Sequence, residues 1–136
     1  MTTQLFEQTF IRTHELEIGT FRFYENIVIG QIREGMQINL DSSLPLFALA
    51  WEQYKNNPVV YISDRKNSYS LDPTMHYETK KLVPFVAGYA WVVYDDRCEK
   101  VARLEERFLD FPTAVFRSLE PALAWAWNLL QEKEID

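Results

Sequence analysis

The chain contains few of the residues that mark secreted or membrane-spanning proteins. Its one cysteine, Cys98, has no intrachain partner for a disulfide, which fits a reducing cytoplasm better than secretion. The longest apolar run, residues 83–94, contains Pro84 and Gly88 and is shorter than the ~20 residues that a membrane-spanning helix needs. The first residues lack the basic and apolar runs of a signal peptide. We therefore expect a cytoplasmic protein without a membrane span.

Glycine and basic residues are scarce as well. The four glycines argue against long flexible linkers. Twenty acidic and fourteen basic residues give a formal charge of −6, which disfavours the clustered basic face that a nucleic-acid partner requires. Apolar residues are abundant instead, at 47% of the 136 residues, enough to bury a core without disulfides or metal. We expect one domain over residues 1–136, with residues 1–13 as an edge strand or arm.

The clearest structural signal lies in residues 86–130. Residues 86–94 are an almost unbroken run of apolar, β-favouring residues, typical of a central strand that is covered by helices on both faces. An amphipathic helix follows, then a strand at residues 113–116 and an apolar helix that starts at Ser118. The inward residues predicted for the amphipathic helix are Val101, Leu104, Phe108 and Leu109.

The upstream half begins with an antiparallel hairpin. Residues 16–24 and 27–32 are its two strands, with a bulge at Gly19, where the apolar alternation changes phase. A helix capped by Asp41 follows and ends at residues 56–58. Its predicted inward positions, at three-and-four spacing, are Leu44, Phe47, Ala48, Trp51 and either Tyr54 or Lys55.

A buried strand and a short helix complete the chain. The strand covers residues 59–62, and the helix is opened by Asp72 and Pro73. The order of elements is strand, strand, helix, strand, helix, strand, helix, strand, helix. This order predicts an α/β fold with a mixed, mainly parallel sheet, an N-terminal antiparallel hairpin and about four helices.

The same segments carry a specific pattern of residues. It consists of Gly88-Tyr89-Ala90-Trp91-Val92-Val93, Arg97 ahead of Leu104-Glu105-Glu106-Arg107-Phe108, Pro112, Val115-Phe116, Ser118-Leu119-Glu120-Pro121-Ala122 and Trp125, with residues 32–35 and 58–62 upstream. This pattern resembles the sulfate-transporter and anti-sigma-antagonist (STAS) superfamily, in the branch of small proteins called SpoIIAA-like or STAS/SEC14-like. The resemblance implies a STAS/SpoIIAA-like fold and a regulatory protein that binds other proteins or a second copy of itself.

The resemblance also raises the question of a phosphorylated serine. Antagonists of this superfamily are phosphorylated in an Asp-Ser-x-Gly-Leu motif after the second buried strand, but residues 64–73 contain no such motif and no glycine. The string at residues 41–44 is closer, yet it opens the earlier helix. Ser68 and Ser70 are the candidate phosphorylation sites, because they precede a helix N-terminus and follow Arg65. Ordinary turn chemistry is the alternative for this loop.

A second candidate region is the edge where parallel strands would end. Open α/β sheets bind ligands at the carboxyl ends of their strands. The rim residues expected there, for a ligand or a partner, are Asp64, Arg65, Asp95, Asp96, Arg97 and Arg117. The three aspartates could hold magnesium for phosphoryl chemistry. Helix capping alone also explains an aspartate that precedes a helix.

No catalytic, cofactor-binding or metal-binding residues are identified, so we expect a protein that is not an enzyme. His14 and His76 have no partner at a useful spacing. A helix first turn could lower the pKa of the Cys98 thiol, but without a visible base we expect this thiol to be inert. Trp125 and Leu129 make the last helix wider than one sheet face needs, which indicates an interface with a protein partner or a second copy. The aromatic content supports the alternative of a domain that binds a small apolar ligand, which requires an enclosed pocket.

Overall fold

A computed structural model describes residues 4–5, 8–55 and 57–135 of the protein. The helices are α1 (Leu40–Tyr54), α2 (Met75–Leu82), α3 (Asp96–Glu106) and α4 (Leu119–Ile135). The strands are β1 (Gln4–Leu5), β2 (Gln8–Leu16), β3 (Gly19–Tyr24), β4 (Ile27–Ile32), β5 (Gln37–Ile38), β6 (Val59–Asp64), β7 (Ser70–Leu71), β8 (Val86–Val92) and β9 (Thr113–Phe116). Part of the predicted N-terminal arm, residues 1–3 and 6–7, lies outside the described residues.

Seven strands form one mixed sheet in the order β1-β2-β3-β4-β6-β8-β9. Strands β1 to β4 pair antiparallel, and β4, β6, β8 and β9 pair parallel. Strands β5 and β7 pair parallel in a separate two-stranded ribbon. The predicted α/β fold, with an antiparallel hairpin, then parallel strands and four helices, is confirmed for the described part of the chain.

The parallel strands are covered by helices on both faces, because successive side chains of a strand point to opposite sides. On β6, Val60 and Ile62 pack against α4, whereas Val59 belongs to the cluster formed with α1. Helix α4 covers the first face with Ala122, Leu123, Ala126, Leu129 and Leu130. Helices α1, α2 and α3 cover the other face. Buried polar side chains also lie on this second face, so a functional site is expected there.

Helix α1 differs from its prediction in both cap and buried face. The predicted cap, Asp41, is wrong: Asn39 is the N-cap and accepts a hydrogen bond from the Ser42 N–H at 2.9 Å, while Ser42 Oγ accepts from the Asn39 N–H. Leu44 and Trp51, predicted to face inward, are 44% and 43% exposed. The buried residues are Ser43, Leu46, Phe47 and Tyr54. Of the other predicted positions, Phe47 and Tyr54 are buried as expected and Ala48 is exposed. Three-and-four spacing alone therefore identifies only part of the buried face.

Helix α3 is also rotated relative to its prediction. Val101 and Leu104, predicted to be buried, are 45% and 48% exposed. The buried residues are Ala102 and Glu105, and Cys98 packs on the same side. A hydrophobic pattern cannot identify this face, because the largest side chain on it carries a charge.

Gly19 has a different role from the predicted bulge. Residues 17–18 form a turn between β2 and β3, and Gly19 is the first residue of β3, opposite Leu16 and Ile32. The predicted bulge at Gly19 is therefore wrong, and the irregularity lies near Phe10 instead. A Cβ at Gly19 would collide with the Gln31 carbonyl oxygen. The glycine allows the close approach of two strands.

The cap assignment gives a first prediction. Asn39→Ala is expected to lower the free energy of unfolding by about 1 kcal/mol, because the Ser42 N–H loses its acceptor. Asp41→Ala is the matched control in the same turn. It removes only the interaction of a charge with the helix dipole, which high salt screens. Urea unfolding in high salt measures both variants, and a larger loss for Asp41→Ala would contradict the assignment.

Candidate functional site

One buried carboxylate on α3 contacts side chains from two other parts of the chain. Glu105 is 1% exposed and lies in the last turn of α3. The Arg65 guanidinium, just after β6, contacts both carboxylate oxygens of Glu105. Arg65 Nη1 lies 2.9 Å from Oε2, and Nη2 donates to Oε1 at 3.0 Å. His76 Nε2, on α2, lies 2.9 Å from Oε1. The Glu105 side chain therefore connects the end of β6 with α2 and α3.

The remaining polar atoms of Arg65 are also used. Its Nε donates to Ser63 Oγ at 2.7 Å, and its guanidinium carbon lies 4.9 Å from the centre of the Tyr69 ring. The Trp91 indole N–H approaches Glu105 Oε1 at 3.4 Å. Burial of two charges is costly unless each is paired and hydrogen-bonded. The two-bond contact with Glu105 and the contact with Ser63 meet that condition for Arg65.

The surroundings of Glu105 also determine which nitrogen of His76 carries a proton. Burial on its own would raise the Glu105 pKa, but the hydrogen bond with His76 and the charge of Arg65 outweigh it, and the pKa lies below its ordinary value. The carboxylate is therefore ionised at neutral pH and only accepts hydrogen bonds. His76 Nε2 therefore donates the hydrogen bond to this carboxylate.

A cavity of about 110 Å³ lies on the same face, between α1, α2 and the sheet. Its wall is mostly apolar. The apolar wall includes Phe23, Val28, Ile32, Leu46, Phe47 and Phe85, and the polar side chains that line it include Tyr61, Tyr69, His76, Thr79 and Tyr89. The cavity therefore combines an apolar interior with a few polar groups, which is typical of small-molecule sites.

Aromatic contacts hold the polar side of the cavity. Tyr89 packs between Tyr61 and His76, with ring centres 5.1 Å and 5.4 Å away. Burial raises the pKa values of Tyr61 and Tyr89 far above the ordinary tyrosine value, so both remain neutral hydroxyls. A Cβ at Gly30 would collide with the Tyr61 hydroxyl, so this glycine makes room for the ring. Thr79 Oγ1 is buried and has no hydrogen-bond partner within the described residues.

Lys80 marks where the cavity approaches the surface. It lines the cavity, its side chain is 50% exposed, and its ammonium pairs with Asp110, which follows α3. On the α1 side, Trp51 packs on Phe85 with ring centres 5.3 Å apart and donates its indole N–H to the Leu82 carbonyl. The Lys80–Asp110 pair therefore lies at the surface beside the cavity.

The predicted rim at the carboxyl ends of the parallel strands exists, but its residues Asp64 and Arg65 point in different directions. The carboxyl ends of β6, β8 and β9 lie along one edge because these strands are parallel. Asp64 accepts hydrogen bonds from the Tyr94 hydroxyl at 2.6 Å and from Gln31 Nε2 at 3.2 Å. Arg65 turns inward to Glu105 instead of facing the rim.

The other rim residues serve α3. Asp95 caps this helix by accepting from the Cys98 N–H at 2.7 Å. Asp96 pairs with Arg117 at 2.7 Å, and Arg97 is exposed. Burial raises the pKa of the Cys98 thiol, so its position in the first helical turn does not lower that pKa. Across residues 4–5, 8–55 and 57–135, no three histidine, cysteine, aspartate or glutamate side chains converge to hold a metal ion.

The remaining predicted site residues lie apart from the cavity polar groups. Ser68 and Ser70 are exposed: the Ser68 N–H donates to Glu34 at 2.9 Å, and Ser70 lies in β7. Their phosphorylation stays a prediction. Leu129 is buried in the core of the chain, and Trp125 packs beside it, partly buried. The extra width of α4 is thus used within the chain, and an interface at these residues stays a prediction.

Glu105 is the residue that sequence reasoning missed. It stands in a charged segment, residues 103–107, in which nothing marks one charge as buried. A signal was available in the spacing, since Cys98, Ala102 and Glu105 follow one another at four and three residues and share a helix face. The small residues Cys98 and Ala102 on the same helix face are compatible with a Glu105 side chain that points inward.

Comparison with known proteins identifies the fold. No protein-family model matches the chain, and no curated protein matches it either. Among solved structures, an uncharacterised protein of the DUF3478 family from Shewanella loihica PV-4, with a SpoIIAA-like fold, is similar to it. The TM-score is 0.51 at 14% identity, over 93% of this chain and 98% of the other. The chain has a SpoIIAA-like fold.

The SpoIIAA-like fold confirms what the residue pattern predicts about architecture. A sequence identity of 14% to that protein shows the fold alone. In the described ranges, none of the helices is both long and apolar enough to cross a bilayer.

The buried ion pair gives a second prediction. Glu105→Gln is expected to lower the free energy of unfolding by about 3 kcal/mol or more, because it leaves the buried Arg65 charge unpaired. The control is Glu106→Gln at the next position, whose carboxylate contacts Thr113 and Arg103 nearer the surface. Its loss should stay below about 1 kcal/mol. Denaturant unfolding measures both, and equal losses would contradict the role of Glu105.

The lowered pKa of Glu105 gives a third prediction. On acidification the unfolded chain takes up this proton first, at its ordinary pKa of ~4.3, and the folded protein takes it up at lower pH. The stabilisation by Glu105 is therefore complete above ~4.3 and is lost as the pH falls through the folded-state pKa. The stability gap between wild type and Glu105→Gln should shrink on acidification. A gap that widens toward low pH in urea titrations would show the opposite sign.

Proposed function

We propose that this chain is a non-catalytic regulatory module that binds one small apolar molecule in the cavity between α1, α2 and the sheet. The observation that carries the proposal is the cavity itself, about 110 Å³ with a mostly apolar wall. Protein interiors are normally packed without such voids. A ligand that fills the cavity would bury more of its apolar wall, which favours binding.

The arrangement of the neighbouring polar groups supports binding over catalysis. The Arg65 nitrogens are occupied by Glu105 and Ser63, and His76 Nε2 is turned to Glu105 rather than to a hydroxyl nucleophile. Ser63 Oγ accepts from Arg65 Nε, so it is held by a cation and not by a base. These contacts fix the orientation of the side chains and stabilise the fold. None of these contacts places a base beside the Ser63 hydroxyl.

Helix α2 has residues that line the cavity and residues on the surface, where a protein partner or a second copy of the chain would bind. His76 and Thr79 line the cavity, while Tyr77 and Leu82 of the same helix are exposed on the surface. Trp51 of α1 is exposed beside Leu82 and hydrogen-bonded to it. A ligand that moves α2 would therefore change an exposed apolar surface. This is the regulatory part of the proposal.

Cavity filling tests the proposal. Toluene, used as the probe, is expected to raise the midpoint of thermal unfolding of the wild type, because it binds only the folded state. Ala50→Leu should abolish this shift, since Ala50 lines the cavity and the larger side chain would occupy it. Ala48→Leu is the matched control, the same change at an exposed position of α1, and should keep the shift.

Differential scanning calorimetry measures the shifts, and circular dichroism confirms that both variants are folded. Absence of a toluene shift in the wild type would contradict the proposal. An equal shift in Ala50→Leu and Ala48→Leu would place the binding outside the cavity and contradict it as well.

A further inference from the structure

A stripe of exposed side chains runs along one side of α1. Its members follow one another at three-and-four spacing and therefore share that side of the helix: Asp41, Leu44, Ala48, Trp51 and the C-cap residue Lys55. All five are exposed. The stripe is thus apolar in its middle, open to solvent, and charged at its two ends with opposite signs.

Trp51 is held in place within the chain itself. Its indole N–H donates to the Leu82 carbonyl, and its ring packs edge-to-face on Phe85 with ring centres 5.3 Å apart. Leu82 is also exposed and adds apolar area beside this ring. A side chain that is already fixed loses little conformational freedom on association, and tryptophan is enriched among the residues that dominate interfaces. Trp51 is therefore suited to anchor a partner.

The charges at the two ends of the stripe are available to such a partner. Within the part of the chain that the structure describes, neither Asp41 nor Lys55 forms an ion pair. Asp41 lies seven positions before Ala48, and Lys55 lies seven positions after it. Two copies of α1 that cross antiparallel, with a two-fold axis at Ala48, bring such equivalent positions together. Asp41 of each copy would then face Lys55 of the other.

The same two-fold axis matches the apolar part of the stripe. Leu44 lies four positions before Ala48 and Trp51 three positions after it, so Leu44 of one copy reaches the level of Trp51 of the other. Ala48 is small, which lets the two helices approach closely where they cross. The stripe is therefore complementary to itself in both charge and apolar contact, and a second copy satisfies both ends at once.

We infer that this stripe of α1 is the interface of a homodimer, in which two copies pack antiparallel about Ala48. The inference goes beyond the proposed function, because the dimer requires no ligand in the cavity. One helix stripe offers a small contact area, and small interfaces are weak and transient. The dimer therefore forms in a concentration-dependent way. Salt weakens it, since the paired charges lie at the surface.

Charge reversal tests the pairing of the two ends. Sedimentation equilibrium at low salt measures the dimerisation constants of wild type, Asp41→Lys, Lys55→Glu and the double variant. Each single variant is expected to weaken dimerisation about 10–30-fold, because it replaces attraction by repulsion at both ends of the dimer. The double variant restores opposite charges and should return to within about 3-fold of wild type.

Glu17→Lys and Lys66→Glu are the matched controls, since they make the same charge changes at exposed positions outside α1. Both should dimerise like wild type, and circular dichroism confirms that every variant is folded. Asp41 and Lys55 also have the signs that the helix dipole favours at its two ends. If that were their only role, the reversals would lower stability and leave dimerisation unchanged, which would contradict the inference.

The remaining outcomes separate the dimer from the proposed function. A wild type that stays monomeric up to submillimolar concentration overturns the inference, and so does a double variant that dimerises no better than the single ones. Neither result affects the toluene response, which depends on the cavity. Conversely, a wild type that dimerises but shows no toluene shift supports the dimer and contradicts the proposed function.

Discussion

The contact between Glu105 and Arg65 is the constraint on which the helical face of the molecule depends. Both charges are buried, so each requires the other, and the geometry around them cannot relax without leaving a charge unpaired. His76 adds α2 to the same carboxylate. This contact restrains the position of α2, which forms one wall of the cavity.

The two faces of the sheet have different roles. The face under α4 is an apolar core in which Gly88 lets Leu129 approach the backbone closely. The opposite face carries Tyr61, Ser63 and Tyr89 among its apolar residues. Because side chains alternate along a strand, β6 and β8 supply both faces at once. One face stabilises the fold, and the other holds the polar groups and the cavity.

The errors in the sequence interpretation have a common cause. On α1, the exposed Leu44 and Trp51 and the buried Ser43 all lie three or four residues from the buried Phe47, and only packing against the sheet distinguishes them. On α3, the pattern favoured Val101 and Leu104 because it assigns no buried position to glutamate. Glu105 is buried since Arg65 and His76, 40 and 29 residues away in sequence, meet it in space. Such partners are invisible to local patterns.

The amino-acid sequence by itself determined the order of the four helices and of strands β3, β4, β6, β8 and β9, with parallel strands after the hairpin, because apolar periodicity and turn residues act over short distances along the chain. The tertiary structure alone decided which faces of α1 and α3 are buried, that Arg65 turns away from the rim, and that a cavity remains beneath α2. These features depend on contacts between residues far apart in the chain, which no local pattern encodes.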